Sequence, residues 1–284
     1  MADQSLQIRL MTPDDIPHGM ALKRQAGWNQ LEADWCRFLS LQPDGCFVVE
    51  WDGRVVATVT TSVFDSVGWI AMVLVNESDR GKGIATKLMD HALEFLDGRR
   101  VETVRLDATA LGQPVYEKLG FVSEYSITRF EGTPTPDVQG SVTCPLSEKI
   151  DPVISMDRYV TGADRGALIK RLVADSPESV CYSSEQKPDS IKGFAILRAG
   201  ALAWQLGPVV AIDRQTGKAL GDHMLSKLAG QHVYMDIPDA NVDAVAWAKS
   251  HGFTVQRQLI RMRRGNEIID HPQMIWAGSG PEKG

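Results

Sequence analysis

Cysteine and histidine are scarce in this chain of 284 residues, which holds four of the first and six of the second. The cysteines, at positions 36, 46, 144 and 181, form no CxxC pair, and the histidines do not cluster. A metal site is therefore not expected, and scattered thiols suit a reducing compartment better than a disulfide framework. Long apolar runs are missing too. The longest, WIAMVLV at residues 69–75, is far too short to cross a bilayer. The opening MADQSLQIRL has no positive stretch leading into an apolar core, so no secretory signal is expected. Nor is there an excess of basic residues: 30 Lys and Arg against 36 Asp and Glu leave a formal charge of −6, which argues against a nucleic-acid binder. The expectation is a cytoplasmic protein without nucleic-acid or membrane partners, and nothing in the sequence indicates an oligomeric state.

What is present is the composition of a globular chain, 43% hydrophobic and 23% charged, long enough for two domains. Residues 7–12 read as a strand, 13–27 and 31–41 as helices, and the runs around Asp52-Gly53 as a hairpin. A strand at 69–75 leads through a glycine turn into a helix reaching about residue 96. A strand at 103–107, a helix ending at Gly120-Phe121, and a segment at 123–130 expected to close the sheet complete this half. Residues 131–145 (EGTPTPDVQGSVTCP) read as a connection poor in large apolar side chains. Beyond it the order recurs: a helix at 163–174, strands at 193–198 and 201–211, then turn, helix, strand, helix and strand. The final GSGPEKG is expected to fray. Recurrence is concrete at two places. Arg80, Gly83 and Ala85 match Arg214, Gly217 and Ala219 in the pattern Arg-x-x-Gly-x-Ala, and each half later carries a Gly-Phe pair, Gly120-Phe121 and Gly252-Phe253.

The turn NESDRGKGIAT, at residues 76–86, is the chemically informative stretch. Glycines let a ligand approach the backbone without meeting a Cβ, and a helix starting directly after them leaves its first N–H groups unpaired at the positive end of its dipole. Arg80 and Lys82 add charge. The combination suits a phosphate or pyrophosphate. Two familiar phosphate motifs fail on spacing: a P-loop would need glycine at Asn76 and Ser or Thr after Lys82, and a dinucleotide fingerprint would need glycine at Thr86. The Arg-x-x-Gly-x-Ala turn fits residues 80–85.

With that turn, and with Tyr116 and Gly120-Phe121 in register behind it, the chain resembles the GCN5-related N-acetyltransferase (GNAT) superfamily, in both halves, and its plan is similar to a bacterial subgroup of tandem GNAT proteins. Thr109 and Gly112 depart from the Asn and Ala that the family pattern carries there. The second half keeps Asn241 and Ala244 but has Ala248 where the first has Tyr116. The resemblance implies a mixed α/β (α+β) fold of two tandem domains, each a mostly antiparallel twisted sheet flanked by helices. The domains would be a catalytic one at 1–132, a linker at 133–146, and a degenerate one at 147–284 that helps close the substrate pocket. It also implies acetyl-CoA as cofactor, held by Val73, Leu74, Val75, Arg80, Gly81, Lys82, Gly83, Ile84, Ala85, Thr86, Thr109 and Tyr116. The backbone N–H at Leu74 would stabilise charge on the thioester oxygen, and Tyr116 would protonate the departing thiolate.

The implied activity is N-acetyl transfer to a primary amine of a small molecule by direct attack. Trp28, Asn29 and Trp35 are candidates for the acceptor pocket, together with Asp107, Asp236 and Asn241. Asp107, Glu32 and Asp34 are candidate bases. Quieter readings stand beside these: large aromatics pack cores, and Asp107 at a strand end could cap a turn. Two rival functions remain, a CoA or amino-compound sensor without turnover, and an O-acyl or longer-chain acyl transferase. Whether the turn at 214–219 still holds a second CoA is also open.

Overall fold

The structure is a computed structural model that describes residues 6–135, 144–176, 178–184 and 187–284. It divides into two compact units, residues 1–106 and 107–284.

In the first unit, β1 (Gln7–Leu10), β2 (Cys46–Trp51), β3 (Arg54–Phe64) and β4 (Val67–Val75) pair antiparallel in sequence order, and β5 (Thr103–Ala108) joins β4 in parallel. The β2–β3 hairpin turns at Asp52 and Gly53, whose φ angles of 51° and 73° are those the Asp-Gly pair is suited to. Helices α1 (Ile16–Gln25) and α2 (Glu32–Leu41) lie between β1 and β2 in the chain, and α3 (Ile84–Gly98) between β4 and β5. Ile84, Leu88, Met89, Ala92, Leu93 and Leu96 recur at helical spacing along α3 and are all buried. Each large apolar side chain so buried contributes about 1.5–3 kcal/mol. That face pins α3, and with it the turn that precedes it.

The second unit contains α4 (Gln113–Lys118), β6 (Val122–Gly132), β7 (Cys144–Pro145), α5 (Ile150–Thr161), α6 (Gly166–Ala174), β8 (Val180–Ser184), β9 (Lys187–Arg198), β10 (Trp204–Ala211), α7 (Arg214–Ser226), β11 (Val233–Pro238), α8 (Val242–Ser250), β12 (Thr254–Gly265) and β13 (Ile275–Ala277). Its strands run in the order β12-β6-β11-β10-β9-β8-β7, with β13 also on β10. A buried apolar face, built from residues such as Phe130, Met235 and Ile237 of the sheet and Leu220, Met224 and Trp247 of the helices, packs α7 and α8 onto this sheet.

Three features depart from the sequence reading. The segment at 123–130 was expected to close the first sheet, but β6 lies between β12 and β11 in the second unit, antiparallel to both. The helix α5 was not anticipated; it stops at Gly162, whose φ of 69° is open to glycine. Residues 278–284 are not frayed. Ser279, Glu282 and Lys283 are buried, and Arg165 donates to Ser279 Oγ (3.2 Å) and to the Lys283 and Gly284 carbonyls. Of the connection expected at 133–146, residues 136–143 lie outside the described residues.

Candidate active site

The glycine turn has the geometry its composition asked for. Gly81 and Gly83 have φ angles of 76° and 77°, and a Cβ built on either would meet nothing within 4 Å. Gly83 caps α3 without any side-chain hydrogen bond, and the first helical amide to find a carbonyl is Lys87, on Gly83 (3.2 Å). The amides before it stay available, and residues 80–83 are exposed. Positive charge at the turn is partly committed. Lys82 donates to Asp79 (2.8 Å) and lies 4.8 Å from the Trp51 ring centroid, while Arg80 Nε donates to the Val75 carbonyl (3.2 Å). Hydrogen bonds from Lys82 and Asn76, with Arg54 beside them, hold the Asp79 carboxyl well below the usual carboxylate range. This buried acid fixes the turn's shape and engages Lys82, which leaves the main-chain amides as the open donors of the turn.

Beside the turn, β4 and β5 pair at only three positions, from Val67↔Thr103 to Trp69↔Arg105. From Ile70 onward β4 has no partner on that side within this unit. Thr58 and Thr60 pair with Leu74 and Ala71, so one residue of β3 faces two of β4, and Met72 at the bulge takes a φ of 51°. A non-glycine residue there costs about 1–3 kcal/mol, here offset in part by Thr58 Oγ1 donating to the Met72 carbonyl (2.9 Å). The bulge at Met72 was missed, since nothing in a run of apolar residues marks it.

The amide expected at Leu74 needs correction. The Asn76 amide donates to the Val56 carbonyl, and antiparallel ladders alternate. Counting back from that anchor, the Leu74 amide is turned into the ladder with Thr58, whereas the amides of Val75 and Val73 face the side that β5 has left. The outward donor is Val73, one residue away from the expected position.

Tyr116 sits on α4, a single turn and a half that starts after Gly112. Thr109 accepts from the Gly112 amide through both its carbonyl (2.9 Å) and its hydroxyl (3.3 Å), which closes the turn leading to the Gly112 N-cap of this helix. Desolvation pushes the Tyr116 phenol up to about 12, so it stays protonated across the working range. Its hydroxyl has no hydrogen-bond partner among the described residues. Its ring meets Phe121 at 6.1 Å between centroids, and a Cβ on Gly112 would come within 2.9 Å of its Cε2. Glycine at 112, a departure from the family pattern, makes room for the phenol.

Among the acceptor candidates the structure separates the free from the committed. Trp28 is half-buried and follows α1, where its carbonyl accepts from Lys23; Asn29 is buried beside it. Trp35 cannot line a pocket: it is wholly buried, its ring packed where a Cβ on Gly19 would lie 2.9 Å away. Asp107 cannot act as a base, because both its oxygens accept from Arg261, at 2.8 and 2.9 Å. Asp34 is spent on Arg37 (2.5 Å) and on the Leu31 amide, and Glu32 is exposed. Asp236 is held by Arg129 at 2.7 and 2.8 Å and by Gln205 at 3.1 Å. Asn241 caps α8 by accepting from Ala244 N and donates to the Ile275 carbonyl. The last two are structural, and their polarity in the sequence reflected buried pairing.

The second unit has its own divergence of parallel strands. There β10 and β11 pair only at Trp204↔Val233 and Gln205↔Tyr234. The gap beyond is filled: β13 pairs with β10 at Val209↔Ala277 and Val210↔Ile275, and Gly278 N–H donates to the Asp236 carbonyl at 2.7 Å. The question left open at residues 214–219 is answered by their conformation, which is not that of a glycine turn. Residues 214–219 are already helix, capped by Asp213 on Thr216 N (2.7 Å), and Gly217 lies directly against the Trp276 ring.

Comparison with known proteins agrees with this geometry. A profile described as the acetyltransferase (GNAT) family matches residues 15–121, and one described as an acetyltransferase (GNAT) domain matches residues 153–277. The chain is a tandem of two GNAT domains. A holothin acyltransferase of Pseudoalteromonas sp. (strain SANK 73390) is 27% identical over 264 residues, covering 90% of this chain and 87% of that protein. The uncharacterized N-acetyltransferase YitH of Bacillus subtilis (strain 168) is 22% identical over 192 residues, covering 66% of each. A crystal structure of a putative acetyltransferase from Pyrococcus horikoshii shares the fold, with a TM-score of 0.84 at 23% identity over 100% of this chain and 98% of that one. The two curated relatives carry acyltransferase and acetyltransferase names. No helix among the described residues is long and apolar enough to cross a membrane, and no cluster of metal-ligating side chains occurs among them.

Proposed function

We propose that the protein is an acetyl-CoA-dependent N-acetyltransferase that acts on a primary amine of a small molecule, with the chemistry in its first GNAT domain. The reading rests above all on the uncapped start of α3, where glycine-bounded main-chain donors stand in open space. Bound acetyl-CoA supplies an activated acyl group with a thiolate to depart. The amides at residues 81–86 receive its pyrophosphate, with Arg80 able to swing from the Val75 carbonyl. The outward amides of Val75 and Val73 would hold the chain of the cofactor, with the Val73 amide able to donate to a thioester oxygen. Tyr116, kept protonated by its surroundings, would hold the proton for the departing thiolate.

The carboxylates weighed as bases are paired or exposed, so deprotonation of the attacking amine falls to water. An amine near the lysine reference of ~10.4 is then mostly charged at neutral pH, and the rate should climb with pH toward that value. The composition of residues 131–145 supports a linker at 133–146 between the two repeats, although the compact units of the structure divide after Leu106. The test offers purified protein acetyl-CoA and a panel of amines while thiol release is followed. CoA bound without release across a broad panel, hydroxyl acceptors and longer acyl donors included, would instead mean a sensor.

A further inference from the structure

One face of the second unit's sheet carries a row of charge that the transfer reaction does not use. Arg257 on β12 stands directly across the ladder from Arg129 on β6, which stands directly across from Asp236 on β11. A bulge between Val255 and Arg257 sets this register; without it Gln256 would face Arg129. Like charges placed opposite each other on one face of a sheet destabilise it. Asp236 and the buried Glu282 carboxylate act on the second arginine only through their field and form no ion pair with it: both Asp236 oxygens bond Arg129 and one also accepts from Gln205, while Glu282 accepts from Arg198 and Lys283.

Arg257 is left over. Its side chain is half-buried, its Nε is shut off from solvent without a hydrogen-bond partner, and no ion pair reaches it among the described residues. Burial, with Arg129 alongside, draws its guanidinium down to about 10. Tyr234, two residues before Asp236 and so on the same face, is buried beneath Arg129, whose guanidinium carbon lies 5.2 Å from its ring centroid. Its hydroxyl also lacks a partner among the described residues. A bulge, a cation without a direct ion-pair or hydrogen-bond partner among the described residues, and a second idle donor that senses its charge lie together.

We propose that Arg257 and Tyr234 form an oxyanion site in the second domain, which holds a carboxylate or phosphate group of a small ligand. Arg129, anchored by Asp236, supports the site with its field, while Arg257 supplies the planar donor fork that such groups match. This is separate from the first domain's phosphate turn and does not depend on transferase activity.

The test titrates the intact protein with inorganic phosphate and, separately, with succinate, against potassium chloride at matched ionic strength. Calorimetry and thermal melting are the readouts. Saturable binding and a raised Tm are expected for at least one of the two, the responsive anion naming the source as phosphate or carboxylate. Arg257→Gln should weaken that binding by about tenfold or more. Without the anion it should melt no lower than the parent, since it removes a like-charge contact. Tyr234→Phe keeps the ring under Arg129 and should weaken binding by a few-fold, which carries the test should Arg257→Gln not fold. No saturable binding of either anion, or binding that both variants leave unchanged, overturns the proposal.

Discussion

Parallel strands part in both GNAT domains, and the two partings are built differently. In the first GNAT domain, β4 parts from β5 after three paired positions and the helix behind it begins at an uncapped glycine. In the second, β10 parts from β11 after two, but β13 fills the space as another strand and Trp276 covers Gly217. The same motif, Arg-x-x-Gly-x-Ala, therefore has two structural meanings. Where glycines take positive φ, the motif is a turn exposing amides. Where Asp213, the residue just before the motif, caps the helix, the motif is the start of the helix itself, and its glycine serves to let an indole come close. Backbone conformation, not residue identity, decides whether the pattern can receive a phosphate.

The comparison can be broken most directly at Gly83. Gly83→Asp puts a side chain and a negative charge over the amides at a φ that only glycine adopts easily, and should abolish CoA binding in calorimetry. Normal affinity would remove the first cleft from the account. Wild-type protein should bind a single CoA per chain, and a stoichiometry of two would show that β13 does not exclude ligand. Tyr116→Phe should lower kcat by about 10–1000-fold with CoA affinity kept, the scale of a lost general acid. Because the phenol is pushed up to about 12, wild-type kcat should show no alkaline loss from its ionisation below that pH.

Trp276→Ala should cost about 3–5 kcal/mol of stability, seen as a lower Tm of the second domain, while CoA affinity at the first is unchanged. The smallest effect is expected at Gly112→Ala. A Cβ there crowds Tyr116 and should lower kcat by about tenfold at most without touching CoA binding.

Most of the first domain was legible because local chemistry and tertiary packing agree there. The Asp-Gly hairpin, the apolar stripe of α3 and the glycine turn each carry their own short-range signal. The helix α5 was also readable in principle, from Val153 and Val160 on one face and Gly162 at its end, though Asp157, buried against Arg165, interrupts the apolar stripe. What could not be read was pairing at long range. Asp107, Asp236 and Asn241 look like site residues because an isolated polar side chain gives no hint of a partner such as Arg261, Arg129 or the Ile275 carbonyl. Trp35 looked like a pocket wall for want of any sign that Gly19 clears space for it. Strand order is invisible for the same reason, and so β6 was assigned to the wrong sheet.

The position of β6 has a consequence for any attempt to take the protein apart. This strand comes from the first repeat in chain order, yet its ladders on either side are with β12 and β11 of the second. Cleaving the polypeptide within residues 133–146 would hand one fragment an orphan strand and leave the other with a slot where that strand belongs. Neither piece should be soluble by itself, and the two should regain structure only when expressed together. On that outcome the two repeats would be inseparable, since the second completes its sheet with a strand drawn from the first.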